Sequence, residues 1–289
     1  MTGQRLPSGG KIDRLQPLDF SWDGRTLTGY LGDTLASALM ANGEMVLGRS
    51  FKYHRPRGIM SSGVEESGAL VTLGTGDRRD ANVRASTQEL YQGLVAQGQN
   101  AWPSVRMDLG SISNLFSRFF VAGFYYKTFM GLPPFEWVRG TGLWMQYEKL
   151  IRRAAGMGRA SRLPDPDHYE HSHAHCDVLI VGGGPAGLAA ANTAAQAGLD
   201  VILVEQDSLL GGSSLSFSGT EHVIPEASCL SSKGVRVMTR TTAFGLYDNA
   251  VAGLIERVTD HLESPPEYFP RQRFWTVRSR YIVLATGAI

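Results

Sequence analysis

One glycine run is defined by what its backbone can do. Gly182-Gly183-Gly184-Pro185-Ala186-Gly187 follows directly on an apolar run, Asp177-Val-Leu-Ile-Val181, and precedes an alanine-rich stretch, Leu188 to Ala197, closed by Gly198. A second apolar run, Val201-Ile-Leu-Val204, ends in Glu205. Strand, glycine loop, helix, strand and acid in this order suit a pyrophosphate followed by a ribose. Gly182 permits the tight turn, Gly184 lets backbone approach the phosphates, and Gly187 lets helix and strand pack closely. Pro185 fits a first helical position, where its missing N–H has no partner in any case. The helix N-terminus offers N–H donors and partial positive charge to an anion. Glu205 lies 18 residues beyond Gly187, where a carboxylate accepts ribose hydroxyls and repels a 2′-phosphate. That favours NAD or FAD over NADP.

Two further segments support a dinucleotide. Leu209-Leu-Gly211-Gly212-Ser213 offers a second close backbone approach, although an ordinary glycine loop has the same composition. Tyr281-Ile-Val-Leu-Ala-Thr286-Gly287 reads as a strand that returns to the nucleotide. The other constellations carry less. His171, His173 and His175 share a face if extended and lie beside His168 and Cys176, but in a linker; no metal ligand set is named from them. Lys52, His54, Arg55 and Arg57, with Phe51 and Tyr53, are too few for a nucleic-acid patch and read as a solvated turn or an anion contact. Glu65 and Glu66 are adjacent, so they are poorly placed to cooperate as an acid/base pair. No residue is assigned as a catalytic base.

The chain that must position these residues has 289 of them, enough for two domains. With 43% hydrophobic and 19% charged residues it can bury a core, which excludes a disordered chain. A net charge of +1 leaves no electrostatic footprint for nucleic acid or an anionic membrane. Two cysteines, Cys176 and Cys229, make no disulfide framework and suit a reducing, cytoplasmic setting. The start of the chain has no apolar stretch of the signal-peptide kind, and no window reaches the length of a membrane span.

Three zones follow. Residues 1–82 read as a β-grasp domain. Phe20 to Tyr30 is a hairpin around Asp23-Gly24. Asp33 to Asn42 is a helix capped by Asp33, with Leu35, Leu39 and Met40 on one face and Gly43 as its stop. Strands then surround Val46-Leu47 and Ala69 to Leu73. Residues 83–175 form a helical and aromatic connecting segment, with helices expected over 90–97, 112–120 and 148–155. Its aromatics Phe124, Tyr125, Tyr126 and Phe129 suit either an interface or plain packing, and Leu163-Pro-Asp-Pro-Asp167 is its linker. Residues 176–289 form the dinucleotide-binding domain, with Val235 to Thr242 as its third strand. The fold class expected is α/β.

Four segments carry a family resemblance: Gly48-Arg-Ser-Phe-Lys-Tyr-His-Arg-Pro-Arg-Gly58, Gly123-Phe-Tyr-Tyr-Lys-Thr-Phe-Met130, Tyr169-Glu-His171, and His175 through Gly187. Together they resemble the α subunit of heterotetrameric sarcosine oxidase, whose relatives are amine-oxidising assemblies. The resemblance implies a complex with β, γ and δ subunits that oxidises sarcosine to glycine, forms hydrogen peroxide and passes the methyl carbon to tetrahydrofolate. It implies FAD in the β subunit, FMN at the α–β boundary, and NAD in this chain. The NAD contacts it implies are the Gly182–Gly187 loop with Ala186, then Glu205, Gln206, Ser213 and Ala243. Iron–sulfur relatives carry clustered cysteines after the Arg-Gly turn; here Ile59 to Leu70 holds none, so a cluster-free β-grasp domain with no iron–sulfur cluster is expected. The end at Ile289 implies an N-terminal fragment of a longer subunit, with an incomplete Rossmann-type fold and no folate domain.

Overall fold

The Asp23-Gly24 turn behaves as its residue types require. Both residues have positive φ, +46° and +77°, as a two-residue hairpin turn demands. It joins β1 (Asp13–Trp22) to β2 (Arg25–Leu31) and turns Phe20 and Trp22 into a core with Leu35, Leu39, Val71 and Leu94. The computed structural model describes residues 5–8, 10–50, 53–119, 149, 158–216 and 227–287.

Helix α1 (Leu35–Ala41) starts one residue later than expected. Its cap is Thr34, not Asp33. Thr34 Oγ1 accepts from Ser37 N–H at 3.2 Å and Ser37 Oγ accepts from Thr34 N–H at 3.0 Å. This reciprocal box outcompetes Asp33, which instead accepts the Ser37 hydroxyl at 2.6 Å. Leu35 and Leu39 are buried, while Met40 is turned outward.

Strands β3 (Gly48–Arg49) and β4 (Pro56–Arg57) pair with each other. Strands β5 (Leu70–Leu73), β6 (Asp80–Arg84) and β7 (Val95–Gly98) complete a sheet of order β2-β1-β7-β5-β6. The helix expected over 90–97 is therefore a turn at Gly93, φ +78°, followed by β7. Leu94 and Ala96 alternate inward, and that two-residue period fits a strand between β1 and β5. The helix expected over 112–120 forms as a tighter 3-10 helix, Leu109–Phe119. The aromatic segment 123–130 and, apart from Lys149, the basic helix over 148–155 lie outside the described residues.

Glu66 organises the loop before β5. Its carboxylate is buried and accepts four backbone N–H groups: Met60 and Ser61 on Oε2 at 2.5 and 2.7 Å, Gly68 and Ala69 on Oε1 at 2.5 and 3.1 Å. Burial pushes this carboxyl up, but the amides of Ser61, Met60, Gly68 and Ala69 outweigh it and hold it below the usual carboxylate range. Glu65 next to it is exposed, so the two do not work as a pair.

The chain divides into two units, one gathering residues 17–29 and 33–165, the other 166–289 with 5–16 and 30–32. A boundary after residue 82 would cut β6, and one after 175 would cut the first strand of the second unit, β8 (Tyr169–Val181). That strand is longer than expected and carries His171, His173 and His175 exposed along one face, out of the linker. His171 Nε2 lies 3.1 Å from Thr276 Oγ1.

After β8 come α2 (Pro185–Gln196), β9 (Val201–Val204), α3 (Ala227–Ser231), β10 (Val235–Met238), β11 (Thr241–Tyr247), β12 (Val251–Arg257) and β13 (Gln272–Leu284). The sheet runs β10-β9-β8-β13-β12-β11, with β10, β9, β8 and β13 parallel and the last two antiparallel. The single strand expected over 235–242 breaks at Arg240, φ +52°, and the chain continues as β11 at the opposite sheet edge. Leu179 and Ile202 face one cluster with Trp275 and Val277; Ile180 and Leu203 face another with Leu188 and Leu230. Cover on both faces explains the unbroken apolar runs of β8 and β9. Each such buried side chain stabilises the fold by about 1.5–3 kcal/mol.

Candidate dinucleotide-binding site

The glycine loop sits where three parallel strands end. Gly182 N–H donates to Val204 O at 2.8 Å, and Ala285 N–H donates to Val181 O at 2.8 Å. The tips of β8, β9 and β13 are thereby tied together, the crevice position where open α/β sheets take ligands. Gly182 has φ +109°, and a Cβ there would stand 2.3 Å from Ala285 O. A Cβ on Gly187 would stand 1.8 Å from Gly182 O, which is the close helix-to-strand packing expected. At Gly184, the N-cap of α2, a Cβ would meet nothing nearer than Gly212 Cα at 4.0 Å. The space above Gly184 is open, so the loop fits a phosphate-bearing ligand. Pro185 occupies the first helical position. Ala186 and Gly187 follow it in a first turn whose N–H groups have no carbonyl within the helix to bond.

Glu205 is buried at the tip of β9, with both oxygens engaged by this chain. Oε2 accepts from Gly183 N–H at 2.7 Å and Oε1 from Asp207 N–H at 2.9 Å. The expected ribose acceptor therefore also ties the glycine loop to the second strand. Each carboxylate oxygen can accept more than one hydrogen bond, so this does not exhaust the group. Gln206 follows, its carbonyl accepting from Arg257 Nη2 at 2.8 Å.

The second glycine segment lies on the first. Gly211 N–H donates to Gly183 O at 2.9 Å, and a Cβ on Gly212 would be 3.0 Å from Gly184 Cα. Gly211 and Gly212 have φ of +131° and +51°. Ser213 is exposed at the start of the short 3-10 turn Gly212–Ser216. Thr286 and Gly287 leave β13 beside the loop: Thr286 N is 3.2 Å from where a Gly182 Cβ would be. Ala243 sits on β11, two residues past Thr241, whose N–H donates to Glu205 O at 2.8 Å. Sequence reasoning missed Leu210, whose Cδ2 would be 2.7 Å from a Cβ on Gly183 and which closes the loop from below. It also missed Asp207 and Ala285. Only their place within three residues of the ends of β9 and β13 could have marked them.

The comparisons bear on each unit. Residues 16–101 match the family model described as a 2Fe-2S iron-sulfur cluster binding domain. That overturns the expectation of no iron–sulfur cluster: these residues are similar to the cluster-binding family. Both cysteines of the chain, Cys176 and Cys229, lie outside residues 16–101, so that segment offers no thiolate to hold a cluster. Residues 177–265 match the model described as FAD dependent oxidoreductase. Over its whole length the chain is 51% identical to sarcosine oxidase subunit alpha of Rhizobium meliloti, covering 29% of that protein. It is 31% identical over 99% of its length to the subunit of the same name from a Corynebacterium species, covering 26% of it. The chain thus spans under a third of the curated relatives it matches. The crystal structure of L-proline dehydrogenase from P. horikoshii overlaps 98% of this chain and 42% of its own, with TM-score 0.52 at 19% identity, a likeness of fold. Among the described residues, no helix is long and apolar enough to cross a membrane.

Proposed function

From a likeness to sarcosine oxidase subunit alpha that runs the whole length of the chain, we propose that this protein is the NAD-binding portion of such a subunit. The observation that carries the reading is the mouth formed by Gly182–Gly187, Gly211-Gly212 and the β13 end, with Glu205 at the second strand tip. The amides and first turn of α2 would take the pyrophosphate; Glu205 and Gln206 would take the adenosine ribose; Ser213, Thr286, Gly287 and Ala243 would border the rest. A bound nicotinamide nucleotide would supply hydride chemistry. This chain's own share is to bind and orient it and to exclude a 2′-phosphate.

The complete assembly in this reading is a cytoplasmic heterotetramer with β, γ and δ subunits. It would oxidise sarcosine with FAD on the β subunit and FMN at the α–β boundary, and deliver the methyl carbon to tetrahydrofolate. The dinucleotide fold here would be incomplete without the remainder of the subunit. A second reading places FAD in the mouth, favoured by the match of residues 177–265 to FAD-dependent oxidoreductases.

Titration calorimetry with NAD, NADP and FAD, run on this chain and on the full-length subunit, tests the assignment. NAD binding with much weaker NADP binding supports it. FAD binding with flavin absorbance retained after gel filtration supports the second reading. Failure of the full-length subunit to bind any of the three refutes both.

A further inference from the structure

A polar cavity of about 750 Å³ opens on the first unit, lined by none of the residues of the dinucleotide mouth. His54, Asp108, Asp23, Arg79 and Arg159 stand in its wall. His54 Nδ1 is 2.7 Å from Asp108 Oδ2, and the Asp108 side chain is completely buried. Asp108 Oδ1 accepts from Trp102 N–H at 3.1 Å and Gly110 N–H at 3.0 Å. Gly110 backs the imidazole so closely that a Cβ there would be 2.2 Å from His54 Cε1. The His54 backbone has φ +52°, a conformation uncommon outside glycine. It is held by Arg49 Nη1 donating to His54 O at 3.2 Å and by His54 N–H donating to Ser50 O at 3.0 Å. The ring is thus fixed, with Nδ1 committed to Asp108 and Nε2 unpartnered among the described residues.

The charges decide what such a cavity takes. Asp23 Oδ1 accepts from Gly98 N–H at 2.9 Å and Oδ2 from Val105 N–H at 3.3 Å. Both carboxylates are therefore occupied by this chain's own donors. Arg79 and Arg159 are exposed and have no ion-pair partner among the described residues. The segment carrying Arg159 is anchored by Gly158, whose N–H donates to Asn82 Oδ1 at 3.2 Å. Two guanidinium groups with no ion-pair partner among the described residues, beside two carboxylates that already accept this chain's own N–H groups, describe a receptor for negative charge.

We propose that this cavity binds a small oxyanion, a carboxylate or phosphate group, gripped by Arg79 and Arg159 beside the His54 ring. The site is independent of the dinucleotide mouth, so it stands or falls separately from the NAD assignment.

The test follows the ring ¹⁵N resonances of His54 by NMR while the whole chain is titrated with inorganic phosphate and, separately, acetate. A saturable shift with either anion supports the site, and the stronger of the two identifies the group. The double variant Arg79→Ala/Arg159→Ala removes two exposed side chains and leaves the Asp108 bonds in place. It should weaken binding at least tenfold, with the His54 resonances of the free protein unchanged. No saturable shift with either anion, or equal affinity in the double variant, overturns the proposal.

Discussion

Glu66→Gln isolates the four-amide loop of the first unit. Glutamine has the same shape but keeps one acceptor oxygen and turns an NH2 group toward the other pair of amides. Two of the four N–H donors, either Met60 and Ser61 or Gly68 and Ala69, then face a donor. A buried group left unmatched costs about 1–3 kcal/mol. The variant should therefore lose about 3 kcal/mol, a large share of a typical stability of about 5–15 kcal/mol. Its thermal midpoint should fall on the order of 10 °C. The pH dependence gives the sharper readout. The folded-state pKa of Glu66 lies below its unfolded value, so its contribution is complete above the unfolded pKa. It is lost as pH falls through the folded one. The gap between wild type and variant should stay constant above about pH 5 and close below about pH 4. Calorimetric melts of both proteins across that range measure it. Equal midpoints at neutral pH, or a gap that persists unchanged in acid, would refute the account of this loop.

Gly187→Ala places a methyl 1.8 Å from Gly182 O; it should cost about 1–3 kcal/mol or more by overpacking and abolish nucleotide binding, read by thermal melts and calorimetry. Glu205→Gln removes the negative charge at the β9 tip while replacing an acceptor for Gly183 or Asp207 with a donor; NAD affinity should drop about tenfold or more and discrimination against NADP should narrow. Burial pushes the Cys176 thiol up to about 11, whereas Cys229 is exposed. Iodoacetamide at pH 8 should accordingly label Cys229 alone in the native chain and both cysteines after denaturation, as counted by mass spectrometry.

The geometry of the glycine loop was legible in the sequence because its parts are local. Strand, glycines, helix and acid occupy one continuous segment, and each residue type has one backbone reason to be there. The strand over 95–98 was not legible, since Leu90 to Gln97 suits a helix until β1 and β5 supply its partners. Asp33 lost the cap to Thr34 because the Ser37 hydroxyl accepts the Thr34 N–H and closes the box, a contest that composition alone does not decide. The His54–Asp108 pair joins residues 54 positions apart, and no spacing rule reaches that far. Glu205 was found for its charge, but its role as a tie to Gly183 emerged only with the loop in place.

Strand β13 inserts between β8 and β12 and pairs with β8 from Gln272↔Tyr169 to Leu284↔Val181. During synthesis, β8, α2 and β9 leave the ribosome long before the strand that must settle between them and the antiparallel pair. Until then one flank of β8 is an open ladder of unpaired backbone groups, and the wall that Ala285 contributes does not exist. Long-range parallel pairing of this kind is slow and leaves edges exposed to aggregation. The β8 flank therefore stays the most vulnerable edge of this domain until its last strand is in place.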